Sequence, residues 1–131
     1  MPQKISELVT KLSNFSCTGK PLELSIIHAQ QELGVAFADD YLELVANYGA
    51  ISYTGHNLTG ISPFRGNDVV NVTKENFSHN QNIPHVFYVI EEAHLDDIVI
   101  WQASTGEIYQ TEFNGKPHLI CKSLAEYIES I

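Results

Sequence analysis

Between Ile26 and Gly60 the chain reads IIHAQQELGVAFADDYLELVANYGAISYTGHNLTG, and these 35 residues constrain the fold more than any other stretch. Ile26, Ala29 and Leu33 fall on one face of a helix that Gly34 ends. Tyr41, Leu44, Val45 and Tyr48 recur at i, i+3, i+4 and i+7 in a second helix, with Gly49 just past its end. Asp40 and Glu43 have the spacing of a capping box at its start. A small strand pair follows around the turn-rich Thr54-Gly55-His56-Asn57. Nothing in this run can act as a nucleophile–base pair.

The flanking sequence completes an α+β pattern. Ile5, Leu8, Val9 and Leu12 form one stripe of a first helix over residues 4 to 14, and Ser13 to Pro21 reads as a loop. Asn67-Asp68 opens a further helix through Val70, Thr73 and Phe77, and Ser78 to Pro84 is polar enough for an exposed loop. Val86 to Ile90 and Ile98 to Trp101 are continuously apolar, as strands covered on both faces are. Glu107 to Phe113 alternates, Asn114-Gly115 signals a hairpin, and His118 to Cys121 reads as a short strand. Ser123-x-x-Glu126 opens a closing helix whose Leu124, Tyr127, Ile128 and Ile131 face the core. The short links between the late strands require antiparallel pairing, because parallel neighbours need a long crossover. The expected architecture is a single domain over residues 1–131: a mixed, mainly antiparallel sheet packed by N-terminal, middle and C-terminal helices. Leu44, Val45, Val89, Ile100, Trp101 and Tyr127 are expected to share its core.

Sixteen acids against seven bases give a net charge of −9. Such a chain repels nucleic-acid phosphates and anionic membrane surfaces, and complementary fields favour a basic protein partner. Acidic composition also serves solubility alone. With no apolar run long enough to span a bilayer and no secretory h-region near Met1, a soluble cytoplasmic protein is expected. Cys17 and Cys121 are then small buried apolar groups rather than a disulfide. The Asn-x-Ser/Thr triplets at Asn14, Asn57, Asn71 and Asn76 are coincidental in that setting.

Chemical motifs are scarce. His28, His56, His79, His85, His94 and His118 lack metal-ligand spacing, so no metal or cofactor is expected. Paired carboxylates at Asp39/Asp40, Glu91/Glu92 and Asp96/Asp97 read as charged turns, since acid–base work needs one raised pKa in a cleft. No nucleophile elbow or phosphate-binding loop is present, and catalysis is not expected. One stretch stands out: Glu91-Glu92-Ala93-His94-Leu95-Asp96-Asp97 joins two apolar strands and carries four acids in seven residues. It is either a solvated loop that blocks edge pairing or a contact surface for a basic ligand. Glu91, Glu92, His94, Asp96 and Asp97 are therefore the candidate partner-binding residues, with Tyr53, Tyr88 and Tyr109 as aromatic anchors beside them.

The order of these motifs resembles the SUKH superfamily, the bacterial immunity proteins related to the fungal Smi/Knr-type regulators of cell-wall synthesis. Leu33-Gly34, Asp40-Tyr41 and Tyr48-Gly49 stand where that family has its Leu-Gly, its Asp-Tyr and its helix-ending pair. Ser52-Tyr53-Thr54-Gly55 and Leu58-Thr59-Gly60 resemble its strand pair, and Ser123 to Ile128 its closing helix. Ala38 replaces the usual proline, and Leu95-Asp96-Asp97 stands where Gly-Asp-Gly is common. The resemblance spans roughly residues 22 to 131. It implies a non-catalytic protein that caps a cognate toxin domain, often a nuclease, with a regulatory scaffold for a cell-wall or signalling protein as the alternative.

Overall fold

A computed structural model describes residues 5–12, 14–93, 98–112 and 115–130. The Asn114 turn position and Ile131 lie outside them. Helices α1 (Ile5–Val9), α2 (Glu23–Leu33) and α3 (Asp39–Tyr48) precede the hairpin of β2 (Ile51–Tyr53) and β3 (His56–Leu58). A short 3₁₀ turn at Arg65–Asn67 and α4 (Val69–His79) lead to β4 (Phe87–Glu92), β5 (Val99–Ala103), β6 (Ile108–Thr111) and β7 (His118–Cys121), and α5 (Leu124–Ser130) follows. The stretch read as a loop before Pro21 contains a two-residue strand, β1 (Ser16–Cys17), paired with β2.

Local chemistry accounts for the element ends. The Gly34 N–H bonds the Gln30 carbonyl at 2.9 Å and closes α2 in the left-handed conformation. The Asp68 carboxylate accepts the Asn71 N–H and caps α4. At α5, Ser123 Oγ accepts the Glu126 N–H at 3.1 Å, while the Glu126 carboxylate reaches back to the Lys122 N–H. Thr54 and Gly55 both have positive φ, the geometry of a two-residue hairpin turn, so His56 and Asn57 belong to β3 rather than to the turn. Gly60 allows a close approach: a Cβ there would collide with the Gly49 carbonyl.

The seven strands form one sheet in chain order, β1 to β7, with every neighbouring pair antiparallel. The junction of β3 and β4 is narrow, a single Leu58↔Glu91 pairing. Beyond it the strands part, and side chains replace the missing ladder. Thr73 of α4 accepts the Val89 N–H at 3.0 Å, and Thr59 Oγ1 donates to the Val89 carbonyl at 2.6 Å. Both threonines are buried, so these bonds satisfy backbone groups that water cannot reach.

The sheet separates two apolar layers. On one face Tyr88, Ile90, Ile100 and Ile108 pack with Ile5, Leu44, Val45, Leu124 and Tyr127 from α1, α3 and α5. On the other, Phe87, Val89 and Trp101 pack with Val72 of α4 and Ile83. The single core expected for Leu44, Val45, Val89, Ile100, Trp101 and Tyr127 is thus divided, because successive residues of a strand point to opposite faces. The polar loop expected over Ser78 to Pro84 likewise begins inside α4 and buries Asn80 and Ile83.

Ile100 lies against the larger layer, 4 % exposed. Truncation of Ile100 to Ala is expected to lower stability by about 2–5 kcal/mol, read from denaturant melts.

Candidate partner-binding site

The acidic stretch is divided by the end of β4. The register shifts between Val89 and Glu91, a bulge that turns Ile90 and Glu91 toward the same layer. Glu91 is therefore buried in the strand, not presented in a connector. Its Oε1 accepts the Tyr127 hydroxyl at 2.5 Å, and its Oε2 lies 3.0 Å from His56 Nδ1. Glu92 is half-buried, and its Oε2 accepts Asn76 Nδ2 at 3.0 Å. His94, Asp96 and Asp97 lie outside the described residues.

The expected aromatic anchors are placed differently from one another. Tyr88 is fully buried and Tyr53 nearly so, each on the inner side of its strand. Neither can meet a partner without unfolding. The Tyr53 hydroxyl has no hydrogen-bond partner among the described residues. Tyr109 is half-buried against Phe87, ring centroids 4.8 Å apart, on the face that α4 covers. Glu91, Tyr53 and Tyr88 thus contribute to the interior, while Glu92 and Tyr109 keep some access to solvent.

A connected polar chain starts at Asp40, at the expected cap of α3. The N-cap position of that helix is Ala38, which makes no side-chain cap bond. Asp40 instead accepts Gln102 Nε2 at 2.9 Å on one oxygen and the Leu124 N–H at 2.8 Å on the other. It therefore serves the N-terminus of α5, where a carboxylate suits the free N–H groups and the helix dipole. Gln102 is completely buried, and its amide also donates to the Gly106 carbonyl at 3.0 Å. Its oxygen accepts the Tyr88 hydroxyl at 2.8 Å, and that hydroxyl oxygen accepts the Ala38 N–H at 2.8 Å. Beside this chain lies an open cleft of about 560 Å³ lined by Asp39, Asp40, Glu43, Thr105, Lys122 and Ser123. A buried Gln in an otherwise apolar strand was the one sequence signal pointing to it.

Other titratable groups carry little chemistry. Cys17 is exposed, contrary to the expectation of two buried cysteines, while Cys121 is buried; both are free thiols. Burial and the nearby Glu126 push the Cys121 thiol up, which disfavours the reactive thiolate. Among the described residues no group of three or more His, Cys, Asp or Glu side chains is placed to hold a metal ion.

Replacing Gln102 with Leu leaves the buried Tyr88 hydroxyl without its acceptor, while the half-buried Asp40 keeps the Leu124 N–H. A buried donor left unpaired costs about 1–3 kcal/mol, so the melting midpoint should fall in thermal denaturation. The buried phenols of Tyr41, Tyr53, Tyr88 and Tyr127 are pushed up, chiefly by desolvation and, at Tyr53 and Tyr127, also by Glu91. The unfolded chain releases these protons near pH ~10, while the folded chain keeps them. Stability is then intact below that pH and falls above it, by about 1.4 kcal/mol per pH unit for each phenol. An ultraviolet titration followed alongside circular dichroism should show these phenolates appearing together with unfolding.

No helix among the described residues is long and apolar enough to cross a membrane. The profile of the SUKH_6 family, described as SMI1-KNR4 cell-wall, matches residues 23–128. No curated protein matches the chain. The matched span runs from the first residue of α2 into α5 and includes Asp40, Tyr88, Gln102 and Leu124. The match spans most of the chain, which therefore belongs to the SMI1-KNR4 family of SUKH proteins.

Proposed function

We propose that this protein is a non-catalytic immunity protein that neutralises a cognate bacterial toxin domain, of nuclease type, by covering its active site. The observation that carries this reading is the net charge of −9 on a SUKH chain. A nuclease that grips phosphates presents a basic groove, and an acidic protein competes for it through the same electrostatic attraction. Glu91 is engaged inside the fold, so the contact falls to Glu92, His94, Asp96 and Asp97, with Tyr109 as the accessible aromatic. The family's cell-wall description favours a second reading, a regulatory scaffold that binds a cell-wall or signalling protein.

Co-expression with a toxin encoded beside the gene should restore growth, and continued killing would overturn the immunity reading. Association kinetics with that toxin separate the mechanism from the assignment. Asp96→Lys/Asp97→Lys should slow association at low salt, with the difference shrinking as salt rises. An on-rate equal to wild type at both ionic strengths would remove this acidic surface from the mechanism.

A further inference from the structure

We infer that the exposed face at the start of α2 is a self-association surface, on which a second copy of this chain docks about a two-fold axis. Leu22, Leu24 and Ile27 are 77, 62 and 40 % exposed and crowd into six residues, a denser run than the exposed Phe64, Val86 or Leu119–Ile120 elsewhere. Beside them α2 and α3 leave a recess of about 420 Å³ lined by Pro21, Ile26, Ile27, Leu42 and Ala46. Projecting aliphatic side chains and an apolar hollow on one face make a patch that can complement itself. That is what a two-fold contact requires, because the same patch serves both copies.

Two observations point to a second copy as the occupant. Leu22 occupies the N-cap of α2, in extended backbone, with no side-chain cap bond. Ser, Thr, Asp or Asn there would take up a free helix N–H, so an exposed leucine weakens the isolated chain and gains nothing within it. A local rule broken without compensation inside the monomer marks a surface kept for another purpose. The second observation is charge. Lys20 and Glu23 are both exposed at the recess and bracket Leu22. The ion pairs among the described residues are His56–Glu91 and Lys74–Glu32, so neither residue is paired with an opposite charge among them. A two-fold axis through Leu22 sets Lys20 of each copy against Glu23 of the other. Two acidic molecules repel over most of their surface, but here opposite signs meet twice.

Sedimentation velocity of the full chain from micromolar to millimolar concentration tests this directly. A reversible monomer–dimer equilibrium is expected, and Leu24→Glu should leave a monomer with an unchanged circular dichroism spectrum. Lys20→Glu or Glu23→Lys alone should weaken the dimer about tenfold, and the two together should restore it. Leu22→Ser gives effects of opposite sign: a higher melting temperature for the dilute monomer and a weaker dimer. A wild type that stays monomeric throughout overturns the inference. If Leu24→Glu in that monomer abolishes binding of the toxin, the face belongs to that partner. A double charge swap that fails to restore the dimer overturns the two-fold arrangement.

Discussion

The Asp40 carboxylate ties together by hydrogen bonds three elements that otherwise meet through apolar packing. It sits in the first turn of α3, receives the buried amide of Gln102 from β5, and receives the first N–H of α5. Through Gln102 the same chain of bonds reaches Tyr88 in β4, Ala38 before α3, and the turn after β5. The carboxylate is half-buried at the edge of the open cleft, and a donor meets each of its oxygens, a charge-assisted arrangement. Shape follows from that arrangement: the helices over the larger face are held at fixed points relative to the sheet rather than by apolar contact alone. Three tilted rings, Phe37, Tyr41 and Tyr88, fill the space around it with centroids 4.8 to 5.0 Å apart.

The same economy governs the middle of the sheet. A helix and a 3₁₀ turn intervene between β3 and β4, and the two strands then meet at one residue pair. Thr59 and Thr73 repair that seam by bonding the Val89 backbone, and the Thr59 carbonyl also accepts the Tyr41 hydroxyl. Valine is close in shape to threonine, so it is the hydroxyl groups that matter at these positions. Glu91, at the seam's one true pairing, is an enclosed carboxylate, tied to Tyr127 and His56. One buried acid, Glu91, and one half-buried acid, Asp40, therefore take part in the scaffold of a protein whose composition suggests surface charge.

Much of the architecture was legible locally. α2 and α3 follow from apolar positions recurring on one face and from Gly34 and Gly49 at their ends, and β7 from its own four residues. What local reading missed has one cause, interactions with distant partners. β1 is two residues long and exists only because β2 lies beside it. The assignment of Val89 and Trp101 to a separate layer depends on what covers each face, which a continuously apolar strand does not reveal. The bulge that buries Glu91 is set by pairing with β5, so the residue reads as part of a charged turn. Asp40 reads as a local cap in the sequence because its partners lie 62 and 84 residues further along. Of the candidate contact residues, Glu91 lies inside the fold for the same reason.

That separation in sequence has a consequence for how the fold is completed. Strands β4 to β7 are joined to their neighbours in chain order, so this unit closes short loops and can form early. The β3–β4 seam must close a much longer loop for a single residue pair, and loop entropy places it later. Asp40 comes last of all, since one of its donors belongs to residue 124. During synthesis α3 leaves the ribosome long before either donor exists, and its carboxylate remains hydrated until then. Folding of the helical layer onto the sheet is thus coupled to the arrival of α5, and a nascent chain lacking it leaves one Asp40 oxygen without its backbone donor.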